Sequence, residues 1–599
     1  MLDLPAILDF ASVRSHYAAG ASAVDLMAAV TERLASSDPA SFIAIVSPAE
    51  LTVAAEALIE RAPDPDSLPL WGLPFAVKDN IDVAGLPTTA GCPDFAYVPE
   101  HHATVVARLT AAGAILVGKT NLDQFATGLN GTRSPYGAPR CVFDAAYVSG
   151  GSSSGSAVAV ASGVAAFSLG TDTAGSGRVP AAFNNIVGIK PSPGRVPTGG
   201  VVPACRSIDV VTVFAASVAE GCAVREVIEG FEPADSYARR FGEVPLPGAL
   251  RLGVPTRDEL EFFGNTAYRA LFDAAVERAT DLGATIVPFG YRPFRQAAAL
   301  LYEGPWVAER LAAIEDFLRE KADSVDPTVR TIIEAARGMS AADAFRGAYA
   351  LEDHRRAAEA EWAKVDALLL PTSPDIQTVE AMRADPLALN ARFGRFTNFA
   401  NFFGCAAIAV PAGFTGAGLP FGVQLVAPRD TDAALAHFAA RMHAAAECGA
   451  GLSRGFTPSL VEPSARSDRI SLAVVGAHLT GMALNHELTE RGAIFVRAGR
   501  TAPGYRLYAL DTVPPKPGLV RDAGVAADGI AVEVWSLTPA AFADFVAAIP
   551  QPLGIGKVSL ADGAEVCGFL CEPAGLAGAR EITALGGWRS YMKTTTAAA

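Results

Sequence analysis

Histidine is scarce in this chain, with eight among 599 residues, and none stands in a motif that sets up a Ser-His-Asp triad. The serine that draws attention, Ser176 in GTDTAGSGRVP (Gly170 to Pro180), is not framed as the G-x-S-x-G elbow of a nucleophile. A distant histidine can still fold in, because a triad is defined by geometry and not by sequence position. Paired cysteines are missing too. Cys92, Cys141, Cys205, Cys222, Cys405, Cys448, Cys567 and Cys571 are scattered without a C-x-x-C, which reads as buried or incidental thiols of a reducing compartment. Cys567 and Cys571 are too few for a zinc site. With no H-E-x-x-H pair and no G-x-G-x-x-G fingerprint, neither a metal nor a cofactor is expected. No basic segment followed by an apolar run opens the chain, so no signal peptide is expected. The longest small-and-apolar run, Ala157 to Leu169, is too short to span a bilayer. The formal charge of −15 argues against an autonomous nucleic-acid-binding surface. A cytoplasmic protein without membrane or nucleic-acid partners is the resulting expectation.

Apolar residues make up half of the chain, enough for a large core in more than one domain. Ser22 is placed to cap a helix reaching about Ser36. A helix from His102 is expected to end at Gly113, before the strand-like AILVG. Further strands are expected at RLGVP (from Arg251), ATIVPF (Ala284), ALLLPT (Ala367), AAIAVP (Ala406) and FGVQLVAP (Phe421). Helical stretches such as Ala267 to Leu282 and Asp432 to Cys448 lie between them. Strands alternating with helices predict an α/β fold whose sheet is covered on both faces. The polar, proline-bearing segment after Gly451 reads as a linker. Beyond it, SLAVVG, GAIFVRAG, YRLYALD and GIAVEVWSL predict a smaller, strand-rich α+β domain over residues 470–599. The terminal MKTTTAAA is expected to lack fixed structure.

Two further stretches bear on Ser176, whose hydroxyl is a weak nucleophile until a base takes its proton. GGSSSGSAVAVASG (Gly150 to Gly163) has a linker's composition, yet it lies inside the α/β alternation and runs into a small apolar segment, as if opening a buried helix. LPFAVKDNIDV ends an apolar run with Lys78. That lysine is either a solvated strand-end charge or, if desolvated, a usable base.

At this point GGSSSGSAVAVASGVAAFSLGTDTAGSGRVPA, LPFAVKDNIDV, AILVGKTNLDQFATG and AAIAVPAGFTGAGLPFGVQLVAP together resemble the amidase signature family, over residues from about 20 to 455. The resemblance implies an amidase-signature fold with a mixed central sheet covered by helices. It divides the chain into an amidase domain (1–455), a linker (456–469) and a C-terminal domain (470–599). It also implies a Ser-cis-Ser-Lys catalytic unit, with Ser176 as nucleophile, Ser152 as bridging serine after a cis Gly151–Ser152 peptide, and Lys78 as base. The backbone N–H groups of Thr173, Ala174, Gly175 and Ser176 would receive the oxyanion. Ser153 and Ser154 would be supporting residues, and Asp172 and Arg178 would brace the loop. Gly177 departs from the family, which usually carries an aliphatic residue there; it suits a different backbone path or a tighter substrate fit.

ATGLNGTRSPYG (from Ala126), LLYEGPWVAERL (from Leu300) and the appended domain resemble the allophanate hydrolase branch of that family. This implies hydrolysis of allophanate to ammonia and N-carboxycarbamate in urea or cyanurate breakdown, in a homodimer and in association with a urea carboxylase. Gly128, Tyr302 and Arg310 would bind the substrate. Arg310 can fork onto a carboxylate; alternatively it is a solvated surface residue of VAERLAAIEDFLRE. The Gly304-Pro305 break leaves open whether Tyr302 and Arg310 converge. VVGAHLTGMALNHEL (from Val474) loosely resembles γ-glutamyl-cyclotransferase-like folds. In it His478 and His486 either assist in processing the first product or serve packing. Another amidase acting on a small carboxylated amide such as malonamate is the alternative. An assembly role for residues 470–599 is a reading of a different class.

Overall fold

The computed structural model describes residues 2–461, 470–522, 524–525, 529–561 and 563–596. The chain divides into two compact units, Met1–Ser464 and Ala465–Ala599. Of the expected linker, residues 462–469 lie outside the described residues.

Eleven strands of the first unit's described residues form one mixed sheet. In spatial order they are Phe42–Ile45, Ile115–Thr120, Pro74–Lys78, Phe167–Asp172, Val210–Ala215, Val187–Lys190, Ala406–Phe414, Pro420–Ala427, Ala367–Pro371, Arg251–Pro255 and Thr285–Phe289. Every residue of Pro74–Lys78, Phe167–Asp172 and Val210–Ala215 is buried. That is why Pro74–Lys78 and Val210–Ala215 read as nearly continuous apolar runs and not as alternating ones. Pro74–Lys78 runs parallel to Phe167–Asp172, and Val210–Ala215 runs antiparallel to it with Val210 opposite Asp172. The carboxyl ends carrying Lys78 and Asp172 therefore meet on one edge of the sheet.

The helices form where their caps predict. Ser22 accepts from the Asp25 backbone, and Asp25 answers in a capping box, opening Ala23–Ser36. The Gly/Ser run is no linker: it opens the helix Ser154–Ala161, in which all eight residues are buried. Small side chains let that helix pack closely among its neighbours. The run Gly113 to Thr120 has the G-x-x-x-x-G-K-T spacing of a phosphate-binding loop. The structure makes Ile115–Thr120 a strand and buries Lys119 against Asp79 at 3.3 Å, leaving no loop to cradle a phosphate. Among the described residues no helix is long and apolar enough to cross a membrane.

In the second unit five strands pair in the order Ile494–Arg500, Ala531–Leu537, Ile470–Val474, Glu565–Cys571, Leu553–Ser559. Three more, Lys516–Arg521, Tyr505–Leu510 and Arg580–Glu581, form a second sheet. Leu472, Trp535, Phe545, Phe569 and Trp588 are buried in its core. The chain's tail differs from expectation: Trp588–Thr596 is helical, because Trp588 is 2 % exposed in that core and anchors the segment. Residues 597–599 lie outside the described residues.

Candidate active site

Lys78 ends its strand with no exposed surface. Its Nζ lies 2.8 Å from Ser152 Oγ and 2.7 Å from Thr171 Oγ1. Burial penalises the ammonium form and pulls the lysine down to about 7, although Asp123, Asp209 and Asp172 oppose the shift. The solvated strand-end reading is thereby excluded. Ser152 follows a cis peptide from Gly151 and stands just before the Ser154–Ala161 helix. Ser153 ties that helix to the neighbouring strand: its Oγ donates to the Thr171 carbonyl at 3.1 Å and accepts from the Thr171 N–H at 3.2 Å.

Ser176 is 2 % exposed, on the turn that follows Phe167–Asp172. Its hydroxyl donates to the Gly128 carbonyl at 3.4 Å. Among the described residues no hydrogen bond joins Ser176 to Ser152, a looseness common in unliganded sites. The turn is held from both ends. Arg178 Nε and Nη2 donate to Asp172 at 2.9 and 3.0 Å, and Nη1 donates to Gln424 at 2.8 Å. Burial raises the Asp172 carboxyl, but the charge and hydrogen bonds of Arg178, with Lys190 and the Gly177 N–H, together hold the group below the usual carboxylate range. Gly175 adopts φ +143°, and a Cβ there would lie 2.3 Å from Thr397 Oγ1, so only glycine fits. The backbone N–H groups of Thr173, Ala174, Gly175 and Ser176 have no protein acceptor among the described residues. Buried amides are rarely left so, and these four surround the serine.

Gly177 has a packing reason. A Cβ at this position would meet Thr212 Cγ2 at 2.5 Å, so the neighbouring strand, and not the substrate, demands glycine here.

Arg310 is not a surface residue. It is 2 % exposed, and its Nη1 donates to Thr127 Oγ1 at 3.0 Å. Tyr302 ends the helix Arg292–Glu303, and Arg310 lies in the next helix, Trp306–Lys321. Across the Gly304-Pro305 break they converge, with the Tyr302 hydroxyl 3.4 Å from Arg310 Nη2. The guanidinium sits 5.2 Å from the Tyr302 ring centroid. Arg310 Nε has no partner. Thr127 and Gly128 are adjacent, so one loop meets the arginine at one residue and the serine at the next.

A profile of the amidase family matches residues 25–436, and one described as the allophanate hydrolase C-terminal domain matches residues 470–593. The chain belongs to the amidase family. It is 42 % identical over 557 residues to a urea amidolyase of Saccharomyces cerevisiae, covering 90 % of this chain and 30 % of that protein. An allophanate hydrolase structure from Kluyveromyces lactis superposes with a TM-score of 0.81 at 39 % identity, covering 99 % of this chain and all of that one. A second urea amidolyase, from Lachancea kluyveri, is 42 % identical over 583 residues, covering 94 % of this chain and 32 % of its own length. The chain spans about a third of the length of the urea amidolyases it matches.

Within the amidase unit, three polar residues around the site escaped the sequence reading. Thr171 is the second acceptor for Lys78. Asp123 accepts from the backbone of Asn130, Gly131 and Arg133, shaping the loop that contains Gly128. Asp209 binds Thr173 Oγ1 at 2.5 Å and the backbone of Ala204 and Cys205 at 2.8 and 3.0 Å. Burial pushes Asp209 up to about 6, against those bonds. Thr171 and Asp123 lie inside motifs already quoted; Asp209 had no local signal.

In the second unit the two histidines part. His478 lines a cavity of about 170 Å³ with Glu487 and Lys516. It bonds Glu487 at 2.9 Å and stacks on Phe569. Burial holds it below the ordinary histidine range, although Glu487 favours its charged form. His486 opens the short helix His486–Thr489, is exposed and is absent from that cavity's lining.

Proposed function

We propose that this amidase is an allophanate hydrolase, cleaving the terminal amide of allophanate to ammonia and N-carboxycarbamate on the way to carbon dioxide and a second ammonia. One observation carries the reading. The loop at Thr127–Gly128 holds the buried Arg310 on one residue and meets Ser176 on the next. This supports reading Arg310 as a carboxylate anchor and Ser176 as a nucleophile, a short molecule apart. Similarity to allophanate hydrolase along 99 % of the chain supports it.

In this reading neutral Lys78 takes a proton from Ser152, Ser152 takes one from Ser176, and Ser176 Oγ bonds to the amide carbon. The carbonyl electrons move onto oxygen, where the free N–H groups of residues 173–176 receive the charge. Collapse breaks the C–N bond, and the relayed proton leaves with the nitrogen as ammonia. Water then cleaves the acyl-enzyme by the same relay. Arg310 and the Tyr302 hydroxyl hold the carboxylate throughout.

Ammonia release is the test, with allophanate, biuret, malonamate and a neutral short amide run side by side. Allophanate is expected to be turned over well above the others, and Ser176→Ala to abolish release. Preference for the neutral amides would overturn the substrate. Arg310→Ala should raise KM for allophanate by roughly 10–100-fold, in line with about 1.5–3 kcal/mol for a charged hydrogen bond. Biuret, which lacks the carboxylate, should lose less; equal losses would reject the anchor role.

The cavity around His478 supports a second step in the C-terminal unit. Lys516 on its wall suits the anionic first product. His478→Ala is then expected to make carbon dioxide release lag behind the first ammonia; unchanged coupling would leave His478 to packing. The urea amidolyases extend well beyond the matched third, which fits an allophanate-forming urea carboxylase as the functional partner of this chain.

A further inference from the structure

A second cavity in the first unit, of about 210 Å³, is lined by Arg206, Arg239 and Arg429 together with Thr198, Asp209 and Asp235. About 10–15 Å³ suffices for one water, so a small organic ion fits with room to spare. Its place in the fold follows from the sheet. Residues 193–198 follow the strand Val187–Lys190, Asp209 precedes Val210–Ala215, and Arg429 follows Pro420–Ala427. The pairings Asp172 with Val210, Lys190 with Ala407, and Ala406 with Ala427 bring these ends onto the edge that carries the Ser176 turn. Asp209 joins the two directly, since it lines the cavity and bonds Thr173.

Of the three arginines in the wall of this cavity, Arg239 alone has an ion pair among the described residues. The Asp235 carboxylate is taken up by the Thr198 N–H and hydroxyl and by the Tyr237 N–H. Asp209 is committed to Thr173, Ala204 and Cys205. Arg239 has its own acid, Asp430, at 2.6 and 2.9 Å. Arg206 and Arg429 have no ion pair among the described residues. Arg206 is held over the Tyr237 ring at 5.6 Å. Arg429, exposed but partly shielded from water, lies below the ordinary arginine range through that partial burial first and then through repulsion by Arg239. A guanidinium without an ion pair beside a hollow is free to take a carboxylate. The chain as a whole carries −15 and repels a small anion at long range, so guanidiniums free of an ion pair on this edge give such an anion a local partner.

We propose that this cavity is a capture site for the anionic substrate, a small ureido-carboxylate, which the unpaired guanidiniums of Arg206 and Arg429 hold beside the Ser176 turn before it passes to Arg310. The inference rests on the allophanate reading for the identity of the anion. Its chemistry is guanidinium–carboxylate pairing.

The test uses the full chain and the double variant Arg206→Ala/Arg429→Ala; both side chains are exposed, so the fold does not depend on them. Rates on allophanate and on neutral biuret are taken at ionic strengths of about 0.01 M and about 1 M, where the screening length falls from about 30 Å to about 3 Å. The expected result is a fall in kcat/KM for allophanate of about tenfold at low salt. The gap should close at high salt and be largely absent for biuret. Arg206→Lys/Arg429→Lys should recover most of the rate. No loss at low salt, or equal losses on both substrates, would overturn the proposal. Calorimetric titration of Ser176→Ala chains with malonamate gives an independent readout: two carboxylates bound per chain with the arginines present, one without them. Equal stoichiometry overturns the capture site. If the wild-type chain leaves allophanate intact, the functional reading falls, and the malonamate titration still decides the cavity.

Discussion

Two lysines on neighbouring strands of the same sheet, Lys78 and Lys119, show what makes a buried amine useful. Lys119 stands opposite Val77, and Lys78 opposite Thr120; neither has exposed surface. Burial lowers both. Lys119 is compensated by Asp79 at 3.3 Å and by Thr88 Oγ1 at 2.9 Å. Lys78 touches only hydroxyls, those of Ser152 and Thr171, and the nearby acids Asp123, Asp172 and Asp209 are each engaged elsewhere. The difference is the directly paired carboxylate. With one, the lysine is a fixed cation of the structure; without one, it is an amine poised near neutrality that can exchange a proton.

Exchanging their fates is the strongest way to break that contrast. Lys78→Ala should lower kcat by about 10⁴-fold or more, as loss of a member of a catalytic unit does. Lys119→Met should leave kcat of the folded fraction within a few-fold, measured by single-turnover ammonia release. A comparable collapse in Lys119→Met would erase the distinction. Stability should order them the other way. Lys119→Ala strands Asp79 in the interior and is expected to cost about 3–5 kcal/mol in urea unfolding, whereas Lys78→Ala leaves only hydroxyls behind and should cost less. The smallest effect sharpens the chemistry. With neutral Lys78 as the proposed base, kcat/KM should rise about tenfold per pH unit and level off near 7. Thr171→Val removes an acceptor that favours the charged lysine. The lysine's pKa should fall, moving this limb to lower pH by about one unit or less. A limb that stays put, or moves to higher pH, would deny Thr171 that role.

Much of the fold was legible because buried strands declare themselves as apolar runs. Ala367–Pro371 and Pro420–Ala427, buried throughout, fall where the pattern puts them, and so does the more exposed edge strand Thr285–Phe289. Ser22 marks its helix start through an ordinary capping box. Of the candidate site, Ser152, the residues 173–176 and Lys78 each lie in a run that local sequence already singles out. What escaped depends on contacts between distant segments. The burial of Arg310 is set by a loop 183 residues earlier, and no helical periodicity reports it. Asp209 looks like any strand-leading acid until the sheet places it under Thr173. The reason for Gly177 lies in Thr212, on a strand that local sequence does not link to it. Trp588, near the end of the chain, gave its tail a helix that the low-complexity composition hid.

The grip of Arg178 on Asp172, Gln424 and the Thr397 carbonyl has a consequence in time. Arg178 and Gln424 are 246 residues apart in sequence, and a chain is made from its N-terminus at roughly 5–20 residues per second. Lys78, Ser152 and Ser176 therefore exist for many seconds on a nascent chain before the strand that clamps their turn has been synthesised. A fragment ending before Gln424 carries the three residues without one of the contacts through which Arg178 holds the Ser176 turn.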